Sequence, residues 1–253
     1  MIDIHCHILP GVDDGPQTLE ESRDMLKQAA AKGVKEIVAT SHFSLSQEQN
    51  IQNAFQTMKS EAQLLGITLY LGMEYDFSRL NDREECQCIG SSKFVLVDFV
   101  TPYISANTLI SQCDQLLNRN YKLLVAHPER LFGPDRLKVL TQLADMGAYF
   151  QINAGSFLGF FGGGPKRMAD KLFSMGYCHV LGSDAHNAGH SRGSCLQEAR
   201  DYIAQHYGSD TAEVLTESNA RRILNGQMPL PVIDGKKVQP SGFFSRFLGF
   251  FKK

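Results

Sequence analysis

The sequence predicts an α/β fold, a distorted (β/α)7 TIM-like barrel, and three observations predict it. Short apolar runs alternate with longer amphipathic stretches, the pattern of parallel strands joined by crossover helices. A histidine or a carboxylate stands at or just after most of those runs, and in a parallel barrel the carboxyl ends of all strands open onto one mouth. A chain of 253 residues with 43% hydrophobic content can bury one such core.

The elements follow in order. The first strand, 2–6, lies in Met1-Ile2-Asp3-Ile4-His5-Cys6-His7, where a side-chain period of two puts His5 and His7 on one face and Cys6 on the other. Thr18 and Glu21 form a capping-box pattern for a helix over 18–32, with Met25, Leu26, Ala29 and Ala30 as its apolar face and Gly33 at its end. A strand over 35–40 leads to His42, a helix over 46–65 follows, and a third strand over 67–73 leads to Glu74. Asp98 stands at the end of a fourth strand, 93–99, and a helix over 105–120 precedes the fifth, 122–126, which leads to His127. Helices over 135–146 and 165–175 flank the sixth strand, 149–153, and a seventh over 178–183 leads to Asp184 and His186. A helix over 193–207 and further helices over 210–226, packed outside the strands, complete one domain over 1–228. Residues 229–242, with Pro229, Pro231 and the polar run Asp234 to Gln239, read as a linker, and 243–253 as a separate amphipathic segment.

A single histidine after a strand is most often an ordinary packed or surface residue. Repetition at successive strand ends points instead to a polynuclear metal site. Imidazoles and carboxylates without a thiolate cluster favour manganese, iron or zinc in a hydrolytic centre, and closely spaced divalent ions suit phosphoester hydrolysis. Arg130 and Arg192 stand beside the candidate ligands, and their planar forks suit phosphate oxygens, although each taken alone fits a structural ion pair equally well. Asp3 reads as a carboxylate supporting His5 rather than as a ligand.

Other chemistries are set aside on composition and context. A net charge of −2 with no long basic run excludes nucleic acid as the main partner. The six cysteines read as cytosolic thiols, since no signal peptide is evident, and Cys86-Gln87-Cys88 has no second pair to complete a zinc site. No apolar run is long enough to cross a bilayer, so the protein is expected to be soluble or peripheral. Cys113 and Arg119 match the Cys-x5-Arg spacing of thiol phosphatases, but the residues between them read as helix without glycine, so the match is expected to be accidental.

The glycine-rich loop 154–164 is expected to be mobile over the mouth, where Phe157, Phe160 and Phe161 either flank an aromatic substrate ring or pack beneath the loop. In the tail, Phe243, Phe244, Phe247, Leu248, Phe250 and Phe251 fall on one helical face, opposite Arg246, Lys252 and Lys253. Peripheral contact with an anionic membrane and docking onto protein both fit that pattern.

Taken together these residues resemble the polymerase-and-histidinol-phosphatase (PHP) metal-dependent family, and more closely its tyrosine-protein phosphatases of bacterial capsule and exopolysaccharide operons. The matching pieces are Met1 to Gly15, Ala39-Thr40-Ser41-His42, Gly72-Met73-Glu74, Ala126-His127-Pro128-Glu129-Arg130, Asn153-Ala154-Gly155-Ser156 and Gly182-Ser183-Asp184-Ala185-His186-Asn187. The resemblance implies a PHP-type barrel with up to three divalent ions, commonly manganese, with iron or zinc as alternatives. It implies attack on phosphotyrosine by metal-activated hydroxide and no covalent phosphoenzyme. By matching motifs, His5, His7, Glu74 and Asp184 would hold the first ion. Glu74 would bridge to a second, completed by Asp98 and His127, and Asp14, His42 and His186 would hold a third. Arg130 and Arg192 would bind the substrate phosphate. Asp98 departs from the family's usual Glu, and the stretch from His186 to Arg192 is a residue longer. The implied substrate is an autophosphorylated tyrosine kinase of polysaccharide biosynthesis, reached in the cytoplasm or at the inner face of the plasma membrane. The alternatives are a small-molecule phosphatase, such as one acting on histidinol phosphate, and a non-catalytic PHP module, against which the complete ligand set stands.

Overall fold

A computed structural model describes residues 1–77, 80, 85–99, 105–131, 133, 135–189 and 192–232. The amphipathic segment 243–253 and most of the expected linker lie outside the described residues.

Eight short parallel strands form two sheets. β1 (Ile2–Cys6), β2 (Glu36–Ala39) and β3 (Thr68–Leu71) make the first, in that order. β4 (Glu74–Asp76), β5 (Phe94–Asp98), β6 (Lys122–Ala126), β7 (Tyr149–Asn153) and β8 (Val180–Gly182) make the second. The crossovers carry α1 (Leu19–Ala31), α2 (Glu48–Leu64), α3 (Ala106–Asn118), α4 (Arg136–Asp145), the short α5 (Ala154–Phe157) and α6 (Gly163–Ser174). After β8 come α7 (Leu196–Tyr207), α8 (Ser209–Glu213), a π-helical stretch Val214–Ser218 and α9 (Asn219–Leu224). The capping box of α1 forms as the sequence predicts, with Thr18 accepting from the Glu21 amide and Glu21 accepting from the Thr18 amide.

Three expectations change. The third strand, expected over 67–73, ends at Leu71, and a further short strand follows at Glu74–Asp76, beyond the expected range, so the described residues hold eight strands where seven are predicted. The chain leaves the first sheet after Leu71 and enters the second at Glu74, and Gly72 makes the crossing possible: a Cβ there would lie 2.8 Å from Val38 Cγ1. The ladder also does not close into one continuous barrel. The sheets meet at two seams, each carrying a single bridge, His42 with Glu74 and Cys6 with Ala185. Backbone bonds stitch the seams: Phe43 N–H to Glu74 O at 2.8 Å, Glu74 N–H to Ser41 O at 3.1 Å, His7 N–H to Ala185 O and Asp184 N–H to His5 O, both at 2.9 Å. The break at Gly72 and the brevity of β8 leave too few consecutive residues in register for longer ladders there.

The strands read as nearly continuous apolar runs because both of their faces are covered. One face, with Ile37, Val95, Val97, Leu123, Val125, Phe150, Ile152 and Leu181, packs against Met25 and Leu26 of α1, Ile51 and Met58 of α2, Leu140 of α4 and Leu172 of α6. The other face gathers Ile2, Ile4, Val38, Phe94, Leu96, Leu124 and Val180 with Ala220, Ile223 and Leu224 of α9. Thus α9 lies on the strand face opposite the helical layer, not outside it as the sequence suggests. Its basic and apolar residues meet Glu36 and the strand starts at once, Arg221 pairing with Glu36.

Candidate metal centre

β1 carries a bulge between Asp3 and Cys6, where three steps along the strand oppose two in β2. Ile2 and Ile4 therefore face the second cluster, while Cys6 joins the helix-facing one with Ala39. The extra residue moves His5 and His7 onto the inward face next to Ile4, which a regular period of two would deny them. His42 follows β2, Glu74 opens β4, Asp98 closes β5, His127 follows β6, and Asp184 and His186 follow β8. Parallel strands bring all of these to one end.

There the donor atoms crowd. His5 Nε2 lies 3.2 Å from His7 Nε2, 3.4 Å from Glu74 Oε1 and 3.6 Å from Asp184 Oδ1. Glu74 is central: its Oε1 is 3.0 Å from His127 Nε2, and its Oε2 is 3.2 Å from His7 Nε2 and 3.1 Å from His42 Nδ1. On the outer side Asp14 Oδ1 lies 3.1 Å from His186 Nε2 and 3.4 Å from His42 Nε2. Three sets of potential ligands result: His5, His7 and Asp184; His5, Glu74 and His127; His7, Asp14, His42 and His186. Asp98 stands apart from them, its Oδ1 3.8 Å from the other ring nitrogen of His127.

The donor set fits divalent ions on geometry. With metal–ligand bonds of about 2.1 Å, ligands at right angles around one ion lie about 3 Å apart. That is the spacing seen here. Moreover, Glu74 Oε2, His127 Nδ1 and His186 Nε2 are buried without a hydrogen bond, although charged neighbours stand close to each. Atoms that approach so closely without hydrogen-bond alignment are arranged for a shared third body.

Electrostatics express the same crowding. Burial opposes charge on His7, yet its hydrogen bond to Asp13 and the carboxylate of Glu74 close by outweigh that and hold its pKa well above the ordinary value. His127 is likewise opposed by burial and raised by Glu74, Asp98 and Asp184 to about 9. Burial and the neighbouring His7 push His186 down to about 4. Burial alone would raise Glu74 and Asp184, but the surrounding imidazoles hold Glu74 well below the usual carboxylate range and Asp184 at about 2. His127 and Asp184 also sit in the left-handed region, with φ of 30° and 53°. For residues other than glycine that is strain of about 1–3 kcal/mol each, held in place by the surrounding structure.

Supporting groups hold the donors, and several escape sequence reasoning. Asp13 Oδ2 accepts from His7 Nδ1 at 2.8 Å and from the His42 amide at 3.0 Å. Gln151 Oε1 accepts from His5 Nδ1 at 2.8 Å, and Gln151 in turn donates to Asn153, which donates to Asp184 Oδ2 at 2.8 Å. Buried Glu129 accepts from the Asn153 amide and from Ser156 Oγ. The available signal was polar Gln151 and Asn153 alternating with apolar Phe150 and Ile152 in a strand otherwise dry. Asp3, read as the support of His5, instead binds the backbone amides of His5 and Ser183 and spans the seam between β1 and β8.

Arg130 Nη1 donates to Asp184 Oδ2 at 2.9 Å, and Arg192 Nη1 lies 3.4 Å from Asp14 Oδ2, so both guanidiniums reach the centre. The loop after β7 does not hang loose: it forms α5 and a tight turn, in which Phe157 is fully buried and Phe160 packs on the core. Cys113 lies buried within α3, and burial pushes its thiol up to about 12. The six cysteines are free, and Cys113 is far from the thiolate a nucleophile needs.

The family model described as "Capsular polysaccharide synthesis, CpsB/CapC" matches residues 1–225. The chain belongs to the CpsB/CapC family. It is 33% identical to tyrosine-protein phosphatase CpsB of Streptococcus pneumoniae, over 90% of this chain and 100% of that one. It is 30% identical to tyrosine-protein phosphatase YwqE of Bacillus subtilis, over 96% of this chain and 100% of the relative. Among solved structures, one from a study of Bacillus subtilis YwqE and Streptococcus pneumoniae CpsB, described as unique metal-dependent tyrosine phosphatases, superposes with a TM-score of 0.80 at 28% identity, covering 94% of this chain and 100% of that one. This CpsB/CapC member therefore shares the relatives' architecture over nearly its whole length.

Proposed function

We propose that this protein is a metal-dependent protein-tyrosine phosphatase that removes phosphate from an autophosphorylated tyrosine kinase of polysaccharide biosynthesis, with manganese as its ion. The observation that carries the reading is Glu74, one buried carboxylate within 3.4 Å of imidazole nitrogens from His5, His7, His42 and His127. In this reading His5, His7, Asp14, His42, Glu74, Asp98, His127, Asp184 and His186 hold up to three ions, Asp98 at the greatest reach. Bound divalent ions supply the positive charge that draws a phosphoryl group and activates water for hydrolysis at neutral pH.

The chain's own groups do the rest. Arg130 and Arg192 each use one edge of the guanidinium on a carboxylate, which leaves further N–H donors for phosphate oxygens. Gln151 and Asn153 keep His5 and Asp184 turned toward the centre. The names of the relatives and the match over residues 1–225 support tyrosine phosphate as the substrate and the capsule machinery as the setting.

The test compares phosphate release from a phosphotyrosine peptide and from histidinol phosphate, with manganese present and after chelation. Hydrolysis of the peptide that is lost on chelation and restored by manganese is expected. Full activity in metal-free protein, or a preference for histidinol phosphate, would overturn the reading.

A further inference from the structure

Of the three phenylalanines in the loop after β7, one has no place in the core. Phe157 is fully buried between Phe173 and Tyr202, and Phe160 packs on the same apolar cluster. Phe161 is half-buried, stands outside the core clusters of the described residues, and lies under the Arg130 guanidinium, 5.7 Å from ring centroid to Cζ. The same guanidinium touches Asp184 through its edge. The ring is therefore placed one side chain away from the centre.

Its position is built, not incidental. A Cβ on Gly155 would stand 2.9 Å from Phe161 Cε2, so the ring rests directly on the backbone of α5. The turn that carries it is tied down by Phe160 N–H to Gly155 O at 2.9 Å, by Gly159 N–H to Ser156 O at 3.1 Å, and by Lys166 Nζ to Phe157 O at 2.6 Å. Through α5 it is continuous with Asn153, which holds Asp184.

We infer that Phe161 is a specificity-determining residue, an aromatic wall on which the phenyl ring of an aryl phosphate rests while Arg130 holds its phosphate. The inference rests on the phosphatase reading above and adds the group that distinguishes an aryl ester from phosphate alone. An aryl phosphate bound at Arg130 carries its ring one ester bond from the phosphorus, at the level where Phe161 borders the guanidinium. An offset or edge-on aromatic pair there favours aryl ligands by about threefold to tenfold.

The test is inhibition of phosphotyrosine-peptide hydrolysis by phenylphosphonate and by inorganic phosphate, in the manganese-loaded wild type and in Phe161→Ala, Phe161→Leu, Phe161→Tyr and Gly155→Ala. The ratio of the two inhibition constants isolates ring recognition from phosphate recognition. Phe161→Ala and Phe161→Leu are expected to weaken phenylphosphonate about threefold to tenfold more than phosphate, Phe161→Tyr to keep the wild-type ratio, and Gly155→Ala to shift it as Phe161→Ala does. Metal content and circular dichroism identify any variant that fails to fold, and Phe161→Leu, which keeps the side-chain bulk, carries the test if Phe161→Ala does not. Equal weakening toward both inhibitors, or an unchanged ratio in Phe161→Leu, overturns the inference while leaving the phosphatase reading intact. A wild type that hydrolyses no phosphotyrosine peptide removes that reading and this inference with it.

Discussion

Gln151 Oε1 accepts a hydrogen bond from His5 Nδ1 at 2.8 Å, and this commits His5 to the centre through Nε2. Partners of this kind fix the ring's tautomer and orientation. Gln151→Leu removes the acceptor and leaves the His5 ring free to turn. The expected result is a loss of about 10–100-fold in metal affinity, read by titration against a competing chelator. Unchanged affinity would show that Gln151 only fills space.

Glu74 belongs to one ligand-spaced set with His5 and His127, and its other oxygen stands 3.2 Å from His7 Nε2 and 3.1 Å from His42 Nδ1 of a second set, so its removal should weaken more than one ion. In wild-type protein, manganese at about one hundred times its dissociation constant should stabilise the fold by about 2.7 kcal/mol, a rise of about 5–10 °C in Tm. In Glu74→Ala that rise should vanish together with turnover. A wild-type-sized shift in the variant would place the ions elsewhere.

Cys113→Ala should retain phosphatase activity. The thiol is buried in α3 and held at about 12, so it lacks both exposure and thiolate character. A small loss of stability, about 1 kcal/mol, is the expected cost of the emptied volume. Loss of turnover in a variant with wild-type circular dichroism would restore a thiol mechanism.

His179 predicts acid sensitivity remote from the metal ligands. Burial pushes its pKa down to about 4, and its Nδ1 accepts from the Phe150 amide at 3.0 Å, so the ring is neutral in the fold. In the unfolded chain a histidine takes up its proton near pH 6.5. Above that pH neither state is charged, and the neutral ring's contribution is fully present. As pH falls from about 6.5 to about 4 the unfolded state binds a proton that the fold refuses, so stability declines, on the order of 3 kcal/mol in all, and then levels off. Urea unfolding of metal-free protein across that window should show the decline, and His179→Gln should show less of it. Parallel curves for the two proteins would assign the effect to other groups.

The strands, the helices and the histidines at the strand ends were legible because amphipathic periods and the convergence of parallel strands are local facts of sequence. The bulge in β1 was not, since one extra residue leaves no compositional mark, yet it decides which way His5 and His7 face. Nor was the break at Gly72, after which β4, a strand the sequence does not announce, carries the chain into the second sheet. Asp13 escaped because two adjacent aspartates in a loop look alike until the fold shows one bonded to His7 and the other opposite His186. Phe157, Phe160 and Phe161 were equivalent in the sequence and became distinct only once the core had its boundary.

The seams give the centre a mechanical meaning. Glu74 bonds by its backbone to Ser41 and Phe43 across one seam, and Asp184 bonds by its backbone to His5 across the other. Where closed barrels are fastened by long ladders, these two sheets are joined by single bridges overlaid by side chains from both sheets that converge on the same few ångströms. Ions held there would act as a clasp, so a cell short of metal would hold a protein that is both idle and ajar, its seam amides exchanging with water first and its opened strand edges offered to proteases.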